Sequence, residues 1–194
     1  MFYNLAIILY DIAVHLVAPF SRKPRKMMKG HWVVYELLRQ QLEKDARYIW
    51  FHAASLGEFE QGRPLIEKIR AKYPDYRILL TFFSPSGYEV RKNYRGADIV
   101  CYLPFDKPRN VRKFLDLVNP CMAFFIKYEF GRTTWMSCIS AASPFIACLP
   151  SFAAGRFSLN GTAVRIGMCC ATSTTSSCRT SAPSAIWRRL VSTG

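Results

Sequence analysis

Two glutamates stand just after short apolar runs, where an acid can take part in chemistry at the edge of a sheet. Glu58 ends the segment HAASLGE (52–58), and Glu129 ends the segment KYE (127–129). Glu58 would open a helix, where backbone N–H groups and the helix dipole favour a negative charge. An ionised carboxylate that faces a cleft can act as a general base. From spacing alone, simple capping of the helix by Glu58 is an equally good interpretation.

Small residues in the neighbouring turns suggest contacts between main chain and substrate. Gly57 is expected to permit a tight turn before Glu58. The loop 84–87, with the sequence SPSG, precedes a helix and could present backbone donors to an anionic or hydroxylated ligand. A plain Pro-Gly turn is the commoner structure there and stays open as the alternative. Glu129 is either ion-paired with Lys127 or aimed at the same site.

Helices and strands are predicted in alternation along the first two thirds of the chain. Apolar residues at helical spacing predict a helix over 31–44. The predicted elements after it are strand 47–53, helix 58–72, strand 76–83, helix 86–94, strand 98–102, helix 107–118 and strand 121–126. This alternation indicates an α/β fold with a Rossmann-like parallel sheet covered on both faces. Ligands bind such sheets at the carboxyl ends of the strands. Asp106 is expected to cap the helix over 107–118.

Charge is unevenly distributed along the 194 residues. The formal net charge of +14 indicates an anionic partner, which could be nucleic acid, a membrane surface or a phosphorylated substrate. All 13 acidic residues lie between Asp11 and Glu129. A globular domain normally has about a quarter of charged residues, of both signs. Residues 131–194 are therefore predicted to form a poorly folded tail, whose origin is either a disordered Ser/Thr-rich segment or a shifted reading frame.

A reading-frame change near Phe130 would explain the loss of acids. Residues 130–138 can be encoded so that one base inserted after the Phe130 codon gives Phe-Trp-Ala-Asp-Tyr-Leu-Asp-Glu-Leu. That translation restores both the acids and an amphipathic pattern. The cysteines of the tail carry little weight in either case, since no CxxC spacing indicates a metal site or a redox pair.

The N-terminal segment 1–20 is predicted to be a membrane anchor. It is apolar apart from three residues, and a basic cluster follows it at 22–29. The segment is barely long enough to span a bilayer, which needs about 20 apolar residues. The positive-inside rule would hold the basic cluster in the cytoplasm. We expect an anchor that spans or lies on the membrane, with a buried helix of the domain as the alternative.

Four motifs, in this order, resemble those of the 3-deoxy-D-manno-octulosonic acid (Kdo) transferase family: HAASLGE (52–58), TFFSPSGYE (81–89), YLPFD (102–106) and KYEF (127–130). The resemblance covers roughly positions 1–130. It implies the N-terminal half of a GT-B glycosyltransferase, with 21–130 as the acceptor-binding domain. It also makes Glu58 the proton acceptor and Glu129 the stabiliser of the transition state. The positions expected to contact substrate are Ser55, Gly57, Ser86 and Gly87.

The resemblance also implies a reaction and its partners. The enzyme would transfer Kdo from the co-substrate CMP-Kdo to lipid IVA, a lipid A precursor, at the cytoplasmic face of the inner membrane, with no cofactor or metal. A Trp usually follows KYEF, whereas Gly131 stands here, and the inserted base restores Trp. The chain as written is expected to be inactive, because the donor-binding domain is absent. Another GT-B sugar-nucleotide transferase and a non-catalytic basic protein that binds membrane or nucleic acid remain alternatives; recognisable nucleic-acid-binding motifs are absent.

Overall fold

A five-stranded parallel sheet forms the centre of the protein. The computed structural model describes residues 2–126, residue 134 and residues 145–148. The strands are β1 (Tyr48–Ala53), β2 (Arg77–Phe82), β3 (Ile99–Tyr102), β4 (Met122–Ile126) and β5 (Phe145–Cys148). Their order across the sheet is β3-β2-β1-β4-β5, and every neighbouring pair is parallel. The predicted α/β fold with a parallel sheet is confirmed.

The helices alternate with the strands as their spacing predicts. They are α1 (Phe2–Val17), α2 (Arg22–Gln41), α3 (Leu56–Lys72), α4 (Pro85–Arg91) and α5 (Pro108–Val118). The main difference from prediction is α2, which begins at Arg22 rather than at residue 31. Its basic first half has no apolar stripe in the sequence, but Met27 is buried and belongs to a small cluster with Val14 of α1. Hydrophobic periodicity alone does not predict this first half of α2, which packs against α1 in the folded protein.

The sheet buries a separate hydrophobic core on each face. On one face, α2 and α5 cover alternate strand residues such as Trp50 and Leu79. On the other face, α3 covers the intervening residues, including Phe51 and Leu80. Successive side chains of a strand point to opposite faces, so the apolar runs of β1 and β2 supply both cores at once.

Helix α1 packs beside the carboxyl edge of the sheet and also exposes apolar side chains. Asp11 of α1 forms an ion pair with Lys107, the N-cap residue of α5. The opposite face of α1 is open, and its exposed apolar residues include Leu9, Ile12, Leu16 and Val17. No helix in the described part of the chain is both long enough and apolar enough to cross a membrane. The predicted anchor over 1–20 thus stays a prediction.

Most of the predicted tail lies outside the described residues. Strand β5 falls within 131–194 and pairs with β4 along four residues. Thr134 is also described, and its main-chain N–H donates to Asp106 at 2.7 Å. Glu129, the second predicted catalytic residue, lies outside the described residues, as does the Phe130 position of the predicted frame change.

Candidate functional site

The turns after β1 and β2 are joined at the carboxyl edge of the sheet. The Ser84 N–H donates to the Ala54 carbonyl at 2.9 Å. Ser84 is the N-cap of α4, and Ser55, next to Ala54, is the N-cap of α3. Two helices therefore start side by side at this edge. The geometry follows from two parallel strands in register, His52 beside Thr81, each followed by a short turn.

Glu58 is held at this edge by the main chain. It lies in the first turn of α3, and its Oε2 accepts a hydrogen bond from the Ala54 N–H at 2.6 Å. This bond satisfies the buried backbone donor one residue before the N-cap Ser55, much as the glutamate of a capping box bonds the N–H of the N-cap itself. The residue is only 5% exposed. The helix-capping interpretation of Glu58 therefore has direct geometric support, whereas its role as proton acceptor stays a prediction.

Ser55 and Gly57 are more accessible than Glu58. Ser55 is half-buried, and its hydroxyl does not cap α3. Gly57 is exposed within α3, and a Cβ added there would meet nothing within 4 Å. A glycine is therefore not required for a tight turn at position 57, because the residue is helical rather than left-handed. The turn-forming role expected for Gly57 is wrong, and the residue instead borders open space.

The second turn is built by capping and by close packing. The Ser84 hydroxyl accepts from the Ser86 N–H at 3.3 Å and lies 3.0 Å from the Ser86 Oγ. Ser86 is exposed, whereas Gly87 is buried against the ring of Phe82. A Cβ at Gly87 would lie 2.2 Å from Phe82 Cδ1, so packing requires glycine there. The predicted substrate contacts of Ser86 and Gly87 remain predictions.

A buried polar network, not predicted from the sequence, lies under the site. The Thr81 Oγ1 accepts from Trp50 Nε1 at 2.8 Å, lies 2.9 Å from His52 Nδ1 and donates to the Phe51 carbonyl at 3.3 Å. In the tautomer with a proton on Nδ1, His52 donates to Thr81 while the single hydroxyl proton goes to Phe51; in the other tautomer, that hydroxyl donates to Nδ1 instead. The network ties β1 to β2 just below the turns. A histidine and a threonine in facing strand positions were the available signal.

Two buried histidines are neutral and hold no metal site. Burial lowers the pKa of His52 to about 4, against the smaller opposing effect of a hydrogen bond to the Thr81 main chain. Burial also lowers the pKa of His31 to about 4, although Asp11 acts in the opposite direction. His31 stacks on Phe105 with ring centroids 4.2 Å apart. Among the described residues, no group of three or more His, Cys, Asp or Glu side chains could bind a metal ion.

Other polar residues near this edge form contacts with side chains of the same chain. The N-cap of α5 is Lys107, so Asp106 does not occupy the capping position predicted for it. Arg91 pairs with Glu60. Two neighbouring cations likewise lie near acids: Arg63 near Glu60 and Glu67, and Lys92 near Glu89. These cations belong to ion pairs on the surfaces of α3 and α4.

The fold and the paired turns define the class of protein. A parallel α/β sheet with helices starting side by side at its carboxyl edge fits a Rossmann-like glycosyltransferase domain. Residues 29–158 match the model of the family described as 3-deoxy-D-manno-octulosonic-acid transferase (kdotransferase). The chain belongs to this glycosyltransferase family. The match extends past position 130, where the frame change is predicted.

Several curated relatives carry the same name. The chain is 33% identical over 82 residues to a 3-deoxy-D-manno-octulosonic acid transferase of Haemophilus influenzae, which covers 42% of the chain and 19% of the relative. It is 35% identical over 83 residues to that of Aquifex aeolicus, covering 42% of the chain and 23% of the relative. The chain is 30% identical over 130 residues to the 3-deoxy-D-manno-octulosonic acid transferase of Chlamydia muridarum, and the match covers 60% of the chain and 30% of the relative. The chain thus spans about a fifth to a third of the length of these relatives.

Proposed function

We propose that this chain supplies the acceptor-binding half of an enzyme that transfers Kdo from CMP-Kdo to lipid IVA. The observation that supports it most is the Glu58 carboxylate, held by the Ala54 N–H at the carboxyl edge of the sheet, in a chain of the Kdo transferase family. Donor binding would belong to a second Rossmann-like domain facing this edge, as in a GT-B enzyme.

In the proposed reaction, Glu58 acts as the proton acceptor. It removes the proton from a glucosamine hydroxyl of the acceptor as that oxygen attacks the anomeric carbon of Kdo. The bond from that carbon to the phosphate oxygen breaks, and CMP leaves with its electrons. A positioned base contributes about 10²–10⁴-fold to such a step. Glu129 would stabilise the transition state, and the reaction needs CMP-Kdo as co-substrate but no cofactor.

The acceptor would reach Glu58 across the start of α3. A base must come within about 2.6–3.2 Å of the oxygen that loses its proton, and Glu58 is only 5% exposed. Gly57, next to it, faces open space, and the hydroxyl of Ser55 is not used for capping. An acceptor sugar lying over Gly57 could therefore bond to Ser55 while its reacting hydroxyl points toward Glu58. Ser86 and Gly87, in the neighbouring turn, would contact the other side of the acceptor.

Helix α1 would bind the cytoplasmic face of the inner membrane by lying in the interface. Its 16 residues extend about 24 Å, less than the roughly 30 Å hydrocarbon core of a bilayer. Leu16 is 69% exposed and Phe20, just after the helix, is 90% exposed. The basic segment 22–29 continues from this apolar surface and would contact anionic headgroups. This placement would bring the carboxyl edge close to a lipid acceptor.

The proposal is tested by direct assay of Kdo transfer. The protein translated after insertion of one base behind the Phe130 codon should transfer Kdo from CMP-Kdo to lipid IVA, and the 194-residue chain should not. Transfer from a different sugar nucleotide by the frame-restored protein would indicate another GT-B transferase. If neither protein transfers any sugar but both bind vesicles, the chain is a non-catalytic membrane-binding protein, and the proposal fails.

A further inference from the structure

A basic groove lies between α2 and α5, away from the candidate site. Its volume is about 540 Å³. The charged residues that line it are Arg39, Arg109, Arg112, Lys113 and Asp116. The two helices meet through the Tyr35 hydroxyl, which donates to the Asn110 carbonyl at 3.0 Å. Because α3 covers the opposite face of the sheet, the groove is a separate site and does not depend on the proposed function.

One cation of α5, Arg109, stands where it opposes the stability of the helix. A helix dipole favours acids in the first turn and bases in the last. The first turn of α5 has no acid and contains Arg109, and the last turn has no base. Arg112 and Lys113 extend the positive charge along the exposed face, with Val111 and Phe114 buried on the other. The helix dipole therefore does not account for Arg109, and the positive charge gathered on this face suggests an anionic partner.

The groove cations are weakly neutralised by the protein itself. Within residues 2–126, Arg109 and Arg112 form no ion pair within 4 Å, unlike the paired cations of α3 and α4. Arg39 lies 3.8 Å from Glu36, and both side chains are more than half exposed. The Lys113 Nζ lies 4.3 Å from the ring centroid of Tyr35, which orients the ammonium without cancelling its charge. Four cations with one acid, Asp116, leave the groove strongly positive.

We propose that this groove binds a phosphomonoester. Two guanidinium groups can each bond two oxygens of a terminal phosphate, and an ammonium can complete the neutralisation of a dianion. A phosphodiester has fewer free oxygens and one charge, so it would bind less well. The volume falls in the range of small-molecule sites, about 300–1,000 Å³. The phosphate could belong to a soluble metabolite or to the headgroup of a membrane lipid.

The test compares two double variants of the full chain. Arg109→Gln/Arg112→Gln removes the unpaired groove cations, and Lys68→Gln/Arg95→Gln removes two exposed cations that do not line the groove. Glycerol 3-phosphate is titrated calorimetrically, and binding to phosphatidylcholine vesicles is measured with added phosphatidic acid or phosphatidylglycerol. The groove variant should bind the phosphomonoester at least about tenfold more weakly, whereas the control variant should bind like the original chain. Arg112→Gln alone should show an intermediate loss.

The two probes separate the possible sources of the phosphate. Loss confined to glycerol 3-phosphate indicates a soluble ligand, and loss of the preference for phosphatidic acid over phosphatidylglycerol indicates a lipid. Equal loss in both double variants, or unchanged binding in the groove variant, would overturn the proposal. Tight binding of short RNA with no phosphomonoester binding would replace it with a nucleic-acid site. Circular dichroism checks folding, and if the double variant is unfolded, the result for Arg112→Gln decides.

Discussion

Replacing Glu58 by two different residues separates its structural role from its proposed chemistry. In the original chain, the Ala54 nitrogen lies 2.6 Å from the Glu58 Oε2. Glu58→Gln keeps an oxygen that can accept this hydrogen bond but removes the charge. Glu58→Ala removes the acceptor and leaves the N–H of a residue that is 6% exposed without a partner. An unsatisfied buried donor costs about 1–3 kcal/mol, whereas weakening a charged hydrogen bond to a neutral one costs about 1 kcal/mol.

Turnover should respond differently from stability. Both variants lack a proton acceptor, so both should lose about 10²–10⁴-fold in turnover. Urea unfolding of the 194-residue chain measures the two free energies of unfolding. Transfer of Kdo from CMP-Kdo to lipid IVA by the frame-restored protein measures turnover. The expected pattern is unequal losses of stability with similar losses of turnover.

One outcome would refute the catalytic assignment. If Glu58→Gln retains turnover within a few-fold of the original while Glu58→Ala loses both stability and activity, then Glu58 acts only as a cap of α3. Lipid IVA binding provides the control and should stay largely intact in both variants, because Glu58 contacts only the reacting hydroxyl of the acceptor.

Three further predictions concern packing and pH. Gly57→Ala should keep or raise the free energy of unfolding, by up to about 1 kcal/mol, because its Cβ meets nothing within 4 Å; it should still lower turnover if the acceptor crosses that point. Gly87→Ala should destabilise the chain by about 1–3 kcal/mol, because its Cβ would lie 2.2 Å from Phe82 Cδ1; urea unfolding measures both changes. Acid should destabilise the chain because the pKa values of buried His31 and His52 lie near 4, below the ordinary 6.5. The stability that comes from keeping these two histidines neutral is complete above pH 6.5. It is lost as pH falls toward 4, by up to about 1.4 kcal/mol of unfolding free energy per pH unit for each histidine. Urea midpoints measured from pH 8 to pH 4 will show this loss.

Each of these expectations has a contrary result. Full activity in Gly57→Ala would mean that the acceptor does not pass over the start of α3. An unchanged midpoint in Gly87→Ala would show that the Phe82 ring moves aside at little cost. Replacing His31 by Phe should make the pH slope shallower, and an unchanged slope would show that other groups cause the acid sensitivity.

The alternation of strands and helices could be predicted because it is a local property. Continuous apolar runs such as Ile49 to Ala53 indicate buried strands, and the apolar stripe of α5 repeats at the helical period of 3.6 residues. Element bounds agree with prediction within a few residues from β1 to β4. The first half of α2 was missed, since its burial depends on contact with α1 across Met27 and Val14.

By itself, the sequence determined the parallel α/β class, the position of Glu58 at a helix start and the family motifs, because these depend on neighbours along the chain. Only the tertiary structure decided what each side chain contacts. It showed that Glu58 bonds to Ala54, that Gly57 faces open space while Gly87 does not, and that Thr81 joins two strands. It also brought Arg39 beside the cations of α5. The physical reason is that contacts between residues distant in sequence depend on how the helices pack on the sheet, which no local pattern encodes.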